Sequence, residues 1–329
     1  MAVLVTGGAG YIGSHMVLEL RDAGERVVVL DDLSTGVRDV VPPDVTLVTG
    51  DVGDAGLVRH LVQEHGIDAI AHFAAKIVVP ESVADPLGYY LNNTVKSRSL
   101  IEAAVKSGVR HFIFSSTAAV YGEPSVGSAS EDLPPAPINP YGRSKLMTEW
   151  MLQDAGHAHG LTFAILRYFN VAGADPAGRA GQSTPNATHL IKVAAQAALG
   201  LRPFLQVFGT DYPTRDGSCI RDYIQVSDLA QAHVAALGHL RNGGESLLLN
   251  CGYGRGFSVL EVIEVVKRVS EVDFEVRYTG RRAGDPAALV AQVDRIRERL
   301  AWEPRYDDLA TIVDQALRWE RRLQDFRAA

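Results

Sequence analysis

Tyr141 and Lys145 stand four positions apart in Asn139-Pro140-Tyr141-Gly142-Arg143-Ser144-Lys145. Proline suits the first turn of a helix, and residues four apart on a helix project from one face. A free tyrosine has a pKa of about 10, too high for a base at neutral pH, but a neighbouring ammonium favours the phenolate. The pair is a candidate general base that moves a proton to or from a substrate oxygen. Upstream, an apolar run leads into Ser115-Ser116-Thr117-Ala118-Ala119-Val120-Tyr121-Gly122, where Thr117 can hydrogen-bond the same oxygen and help move its proton. Taken alone, a Tyr-x-x-x-Lys is more often a packed aromatic beside a solvated lysine, and Ser115 to Thr117 a run of small loop formers. The rest of the chain decides between these readings.

The amino terminus supplies the decisive context. Thr6-Gly7-Gly8-Ala9-Gly10-Tyr11-Ile12-Gly13 follows an apolar strand and opens a helix. Both Gly8-x-Gly10-x-x-Gly13 and Gly7-x-x-Gly10-x-x-Gly13 fit. Such glycines permit a tight turn, close approach of backbone to a pyrophosphate, and tight helix packing, while the helix start offers free N–H groups and a positive dipole end. The second strand ends in Asp31-Asp32, and an acid about 20 positions on is what a ribose 2′-hydroxyl requires. It would repel a 2′-phosphate, so NAD is expected rather than NADP. The expected cofactor set begins with Gly7, Gly10, Tyr11, Ile12, Gly13 and Asp31, and continues to Asp51 and Val52 after the third strand, near the adenine. With nicotinamide bound, its positive charge adds to that of Lys145 in favouring the Tyr141 phenolate, and Lys145 reaches the ribose. The catalytic set is then Tyr141, Lys145 and Thr117. No metal ligands are expected.

These groups need a scaffold. Ala2–Val5, Val27–Leu30, Val45–Val48, Ala69–Phe73, Phe112–Phe114 and Phe163–Leu166 read as strands buried on both faces, because they are apolar without polar alternation. Ser14–Ala23, Leu57–His65 and Val95–Ser107 between them have helical spacing. The fold class is α/β, a doubly wound parallel sheet with a smaller, interleaved C-terminal substrate domain. Residues 1–167 are expected to bind the cofactor and 168–329 the substrate, with segments near 222–251 returning to the first sheet, among them a helix over Gln225–Leu240 and a strand over Leu247–Asn250. Ser125–Pro137, rich in Pro and Gly, is expected to be a long loop without regular structure.

Composition narrows the partners. The 329 residues carry a net charge of −7, which argues against a nucleic-acid or anionic-lipid grip. Cys219 and Cys251 lack metal-ligand spacing and are too few for a disulfide framework, so both are expected as buried free thiols. The absence of a long apolar run or a leader-like start leads us to expect a cytoplasmic protein without membrane partners.

The Gly7-to-Gly13 loop, Ser116-Thr117-Ala118-Ala119-Val120-Tyr121-Gly122 and Tyr141-Gly142-Arg143-Ser144-Lys145 resemble extended short-chain dehydrogenases, specifically bacterial UDP-glucose 4-epimerases. The resemblance spans nearly the whole chain. It includes Pro80-Glu-Ser-Val, Tyr89-Tyr-Leu-Asn-Asn, Leu166-Arg-Tyr-Phe-Asn-Val-Ala-Gly, Ile220-Arg-Asp-Tyr-Ile and Arg281-Arg-Ala-Gly-Asp. The most specific segment is Phe208-Gly-Thr-Asp-Tyr-Pro-Thr. It implies an NAD-dependent isomerase, a homodimer, that interconverts UDP-galactose and UDP-glucose at C4 through a transient 4-keto sugar. It implies cofactor contacts from Asp31, Asp51, Phe73, Ala74, Asn92, Tyr141, Lys145 and Tyr168. UDP-sugar contacts are implied from Thr117, Asn170, Leu190, Arg221, Tyr223, Arg282 and Asp285, with Phe208 in the same set and Leu289 as a sugar-pocket wall. Three positions depart from the pattern. Thr117 replaces a frequent serine and keeps the hydroxyl. Ile77 stands where many relatives carry lysine, leaving Lys76 as the candidate replacement. His189 stands where asparagine is common and is given no role. A nucleotide-sugar 4,6-dehydratase would need an acid and a base, typically Asp-Glu, where this chain has Ala118-Ala119. A catalytically silent NAD-binding regulator commonly loses the Tyr or Lys retained here. An epimerase of another nucleotide sugar, such as UDP-N-acetylglucosamine, stays open.

Overall fold

The computed structural model describes residues 1–124, 127–184, 187–282 and 285–328, with side chains to residue 325. Its strands are β1 (Ala2–Thr6), β2 (Arg26–Asp31), β3 (Thr46–Thr49), β4 (Ile67–His72), β5 (His111–Thr117), β6 (Ser128–Ala129), β7 (Thr162–Tyr168), β8 (Asn170–Ala172), β9 (Leu205–Phe208), β10 (Ile220–Gln225), β11 (Leu247–Cys251), β12 (Gly256–Ser258), β13 (Val276–Thr279) and β14 (Ala288–Ala291). The α-helices are α1 (Tyr11–Asp22), α2 (Ala55–His65), α3 (Val79–Ala84), α4 (Pro86–Tyr89), α5 (Lys96–Lys106), α6 (Pro140–His159), α7 (Leu190–Ala198), α8 (Val226–Arg241), α9 (Val259–Ser270), α10 (Asp294–Arg299) and α11 (Leu309–Ala328).

Seven strands form a parallel sheet in the order β11-β7-β5-β4-β1-β2-β3. Its two faces explain the unbroken apolar runs. In β1, Val3 and Val5 pack with Met16, Val17 and Leu20 of α1 and Leu229 of α8. Ala2 and Leu4 face the other way, into a core with Leu61 of α2, Leu100 of α5 and Leu152 of α6. Both alternating sets need apolar side chains, so no polar period survives. Strand order reverses at β1, which lies between β2 and β4. The crevice beyond the carboxyl ends of β1 and β4 is where ligands bind in such sheets.

The second sheet runs β12-β10-β14-β6, with β8 also paired to β10, and β9 pairs with β13. The expected strands and helices in the first half form with ends shifted by a few residues. The helix expected from Val95 instead starts earlier, as a π-helix over Tyr90–Val95 that continues into α5. The expectation that Ser125–Pro137 lacks regular structure is corrected. Ser128 and Ala129 form β6 and pair in parallel with Val290 and Ala291. Gly127, at φ +69, turns the chain into that pairing, and two small residues suffice to join the sheet edge. Ser125 and Val126 lie outside the described residues.

Candidate active site

Backbone comes closest together at the glycine loop. Gly7 has φ +71, and a Cβ there would stand 2.6 Å from the Ala74 amide nitrogen. A Cβ on Gly13 would lie 2.1 Å from the Gly7 carbonyl oxygen. Gly10 caps α1 with no side-chain hydrogen bond, so the first-turn N–H groups face outward without a side-chain partner. A bare helix start over a loop pared to backbone fits a dinucleotide pyrophosphate. Asp31, 6% exposed, braces the loop: Oδ2 accepts from the Ala9 amide at 2.9 Å and Oδ1 from the Leu33 amide at 2.8 Å. Burial raises its pKa, with the two amides pulling the other way. Each oxygen keeps a lone pair for a ribose hydroxyl.

The other expected cofactor residues each have partners of their own. The Tyr11 hydroxyl donates to the Gly173 carbonyl at 2.8 Å, and Ile12 packs on the main core. Val52 is buried. Burial pushes the Asp51 carboxyl up, but Lys96, 2.6 Å away, and the Gly53 amide more than offset this and leave it lowered. The Phe73 ring lies 5.0 Å from that of His233. Asn92 donates to Asn93 Oδ1 at 3.1 Å. The Lys76 ammonium turns to Glu81 at 3.4 Å.

Tyr141, Lys145 and Glu149 form one stripe on α6, and the stripe faces the end of β5. Asn139 caps this helix by accepting from the Gly142 amide at 2.9 Å, and Pro140 occupies its first turn. The Thr117 hydroxyl beside Tyr141 favours the phenolate, but burial is the larger effect and raises the phenol. The Lys145 ammonium, buried with the aliphatic stem, donates to the Ser115 carbonyl at 2.9 Å and lies 5.0 Å from the Phe114 ring centre. Burial lowers its pKa to about 7, opposed by the charge of Glu149. Without a nicotinamide alongside, burial thus outweighs the Thr117 hydroxyl in setting the Tyr141 phenol. The Ser115 hydroxyl meets that of Tyr168.

Strand register joins this stripe to the residues expected at the substrate. Thr117 pairs with Tyr168 at the ends of β5 and β7. Two residues on, Asn170 pairs with Tyr223 across β8 and β10. Arg221 then lies opposite Leu289 of β14. Arg221 Nη2 meets Asp285 at 3.2 Å, and its Nη1 donates to the Ile220 carbonyl at 2.8 Å. The Arg282 guanidinium lies 3.6 Å from the Phe208 ring centre. Leu190 opens α7. Leu289 is 9% exposed and belongs to the main core. Ala283 and Gly284, in the Arg281-to-Asp285 segment, lie outside the described residues. His189, which stands just before α7, shares a hydrogen bond of 2.6 Å with Gln182.

The family described as "NAD dependent epimerase/dehydratase family" matches residues 3–252. The chain belongs to that family. It is similar to the UDP-glucose 4-epimerase of Azospirillum brasilense, with 61% identity over 98% of this chain and 92% of the relative. Among solved structures, UDP-glucose 4-epimerase from Brucella ovis in complex with NAD is 44% identical, with a TM-score of 0.93 over 96% of this chain and 97% of that one. The UDP-Glc/GlcNAc 4-epimerase from Campylobacter jejuni is 49% identical, with a TM-score of 0.85 over 98% and 99%.

Within this epimerase/dehydratase architecture, three buried residues that sequence reading missed hold the site together. Asn93 accepts from the Lys76 amide and donates to the Lys76 carbonyl, both at 2.9 Å, and donates to Ser144 at 3.1 Å, clamping the stretch after β4 to α6. Glu149 accepts from the Ser116 hydroxyl and takes both Nε and Nη2 of Arg167, at 3.0 and 2.5 Å. Glu149 was open to detection, since it continues the four-residue spacing of Tyr141 and Lys145. Asn93 sits in a π-helix, whose longer turn breaks the spacing by which a helix face is read.

Proposed function

We propose that the chain interconverts UDP-galactose and UDP-glucose at C4 as an NAD-dependent isomerase. The observation that carries this is the meeting of Tyr141 with Thr117 at the carboxyl end of β5, beside a glycine cradle that fits a dinucleotide, with Ala118-Ala119 where elimination chemistry would need acid and base. Similarity to UDP-glucose 4-epimerases along the whole chain supports the same reading.

Tyr141, acting with Thr117, takes the proton from the sugar 4-hydroxyl. NAD, when bound, would supply a reversible acceptor for the hydride of the sugar C4. Lys145 holds positive charge beside the phenol and reaches the nicotinamide ribose. Gly7, Gly10, Tyr11, Ile12 and Gly13 take the pyrophosphate, Asp31 the ribose hydroxyls, and Asp51 with Val52 the adenine. Phe73, Ala74, Lys76, Asn92 and Tyr168 complete that set. Arg221 and Arg282 neutralise the UDP diphosphate as charge-assisted donors. Asn170, Leu190, Phe208, Tyr223, Asp285 and Leu289 shape the remainder. UDP is gripped firmly and the sugar loosely, so that either face is presented.

Residues 1–167 form the cofactor unit and 168–329 the substrate unit, with β11 returned to the first sheet. The active form is a homodimer. Leu91 and Val95 are 57% and 50% exposed, and Met147 and Trp150 of α6 are 37% and 53% exposed. Thr94 touches Met147, so the two pairs form one apolar surface of the kind that marks an interface. Two buried free thiols, Cys219 and Cys251, suit the reducing cytoplasm. No helix among the described residues is long and apolar enough to cross a membrane.

The test assays purified protein with UDP-galactose, UDP-N-acetylgalactosamine and UDP-pentoses side by side. UDP-galactose is expected to turn over fastest. Conversion confined to an acetamido sugar would move the assignment to another nucleotide-sugar epimerase, and release of water would make it a dehydratase.

A further inference from the structure

The α6 stripe has a third member that the proposed reaction leaves unused. Glu149 follows Lys145 by four residues, is 1% exposed, and holds the Ser116 hydroxyl on one side and Arg167 of β7 on the other. Tyr141, Lys145 and Glu149 thus reach Thr117, the Ser115 carbonyl and Ser116, three consecutive residues at the end of β5. A buried ion pair is costly to assemble and is weak evidence for stability. Arg167 also keeps Nη1 buried without a hydrogen-bond partner. Packing apolar side chains there would cost less, so the carboxylate does something that packing would not.

We propose that Glu149 is a positioning residue for the Tyr141–Lys145 pair: it pins Ser116, and with it Thr117, against α6, and it carries a negative charge one helical turn from Lys145, held in place by Arg167. The inference rests on the reaction proposed above. The other titratable or charged groups facing this cluster are His72 of β4, Tyr168 of β7, Tyr89 of α4 with its partner Glu81, and Tyr121 with Glu131 nearby. His72 is held neutral by burial and by the Lys145 charge, and burial keeps Tyr168 and Tyr89 protonated. Arg167 stands over the Tyr121 ring, 4.9 Å from its centre, and burial likewise keeps that phenol protonated. In this cluster the fixed charge that acts on Lys145 is that of Glu149, which favours the ammonium, and Arg167 is the ion-pair partner of Glu149.

Three variants of the NAD-loaded protein separate charge from shape: Glu149→Gln, which keeps an acceptor for Ser116, Arg167→Met, and the double variant Glu149→Leu with Arg167→Met, which removes that acceptor. The first readout is the pH midpoint of the Lys145 ¹³Cε resonance, one of six lysines. The second is the alkaline limb of kcat for UDP-galactose. Glu149→Gln removes the negative charge, so the midpoint and the limb move to lower pH by about one unit. Arg167→Met leaves Glu149 unbalanced and moves both upward. The double variant buries no unpaired charge, which proteins commonly tolerate. It moves the midpoint downward as Glu149→Gln does, and its kcat falls about ten- to a hundredfold at unchanged KM because Ser116 is no longer pinned. Equal midpoints in all four proteins, or two single variants shifting the same way, would overturn the charge role. A double variant with full kcat would overturn the pinning role. Should Glu149→Gln fail to fold, the upward shift in Arg167→Met and the kcat of the double variant still decide. An unaltered protein silent on every UDP-sugar sinks the reaction, whereas an active one with unmoved midpoints sinks only this inference.

Discussion

Tyr141 loses one oxygen in Tyr141→Phe, and the ring packing is kept. The variant is expected to fold, bind UDP-sugar and lose about a hundred- to ten-thousandfold in kcat, the usual contribution of a general acid–base group. Near-normal kcat in a folded variant would transfer the role to Thr117. Leu289 tests pocket width. It lies opposite Arg221 in the β10–β14 pairing and is almost fully buried, so a larger side chain has little slack. Leu289→Tyr is expected to cut conversion of UDP-N-acetylglucosamine more than that of UDP-galactose, since overpacking costs about 1–3 kcal/mol. Equal losses on both would mark Leu289 as a core residue and place the wall elsewhere. At this scale the sequence was readable where spacing is local. Tyr141, Lys145 and the glycines announce themselves within seven residues, and Glu149 extends the same period. Arg167 was invisible because its partner lies on α6, 18 positions away, across a strand–helix interface. The burial of Tyr141 was not legible for a similar reason. It depends on elements that no local motif contains.

The elements position these groups through close approach of backbone. Gly13→Ala would set a methyl group 2.1 Å from the Gly7 carbonyl oxygen, a distance only backbone movement relieves. NAD is expected to copurify with the unaltered protein, because the cofactor is regenerated in each cycle, and to be largely absent from Gly13→Ala. Nucleotide released on denaturation measures both. Equal cofactor in the two proteins would show that the loop has slack the geometry denies. The strands of the first sheet could be read from sequence because burial on two faces leaves a simple apolar run. β6 could not, because two small residues between glycine and proline carry no periodic signal. Its partner β14 lies some 160 residues away along the chain.

Over the whole molecule, buried histidines couple stability to acid. Burial lowers His15 and His233 to about 4 and His72 to about 3, and each is at most 1% exposed. Their folded values lie below the ordinary value of about 6.5. The stability they contribute is therefore complete above that pH and is lost as pH falls toward 4. At pH 5 each withdraws about 2 kcal/mol relative to neutral pH. Urea midpoints at pH 7 and pH 5 check this, and a stability unchanged between them would mean the imidazoles charge without unfolding. The apolar surface of Leu91, Val95, Met147 and Trp150 makes a second test at this scale. Light scattering at micromolar concentration should give twice the chain mass, and Trp150→Glu should shift the population to monomer. A monomeric unaltered protein would remove the dimer from the proposal.

The edge strand β11 pairs with β7 although nearly eighty residues of chain separate them. The consequence appears during synthesis. A ribosome that has released β7 leaves that long strand as an unpaired edge opposite β3, a template for pairing with other chains. β7 stays that edge until Leu247–Cys251 has emerged and taken its place, after β8 and β10 of the second sheet. At elongation rates of about 5–20 residues per second the exposure lasts several seconds. The strands of the two sheets are thus made interleaved, with β12 and β14 of the second still to come after β11, and the nascent protein passes its most aggregation-prone interval with the glycine loop already made and the last strand of its first sheet still inside the ribosome.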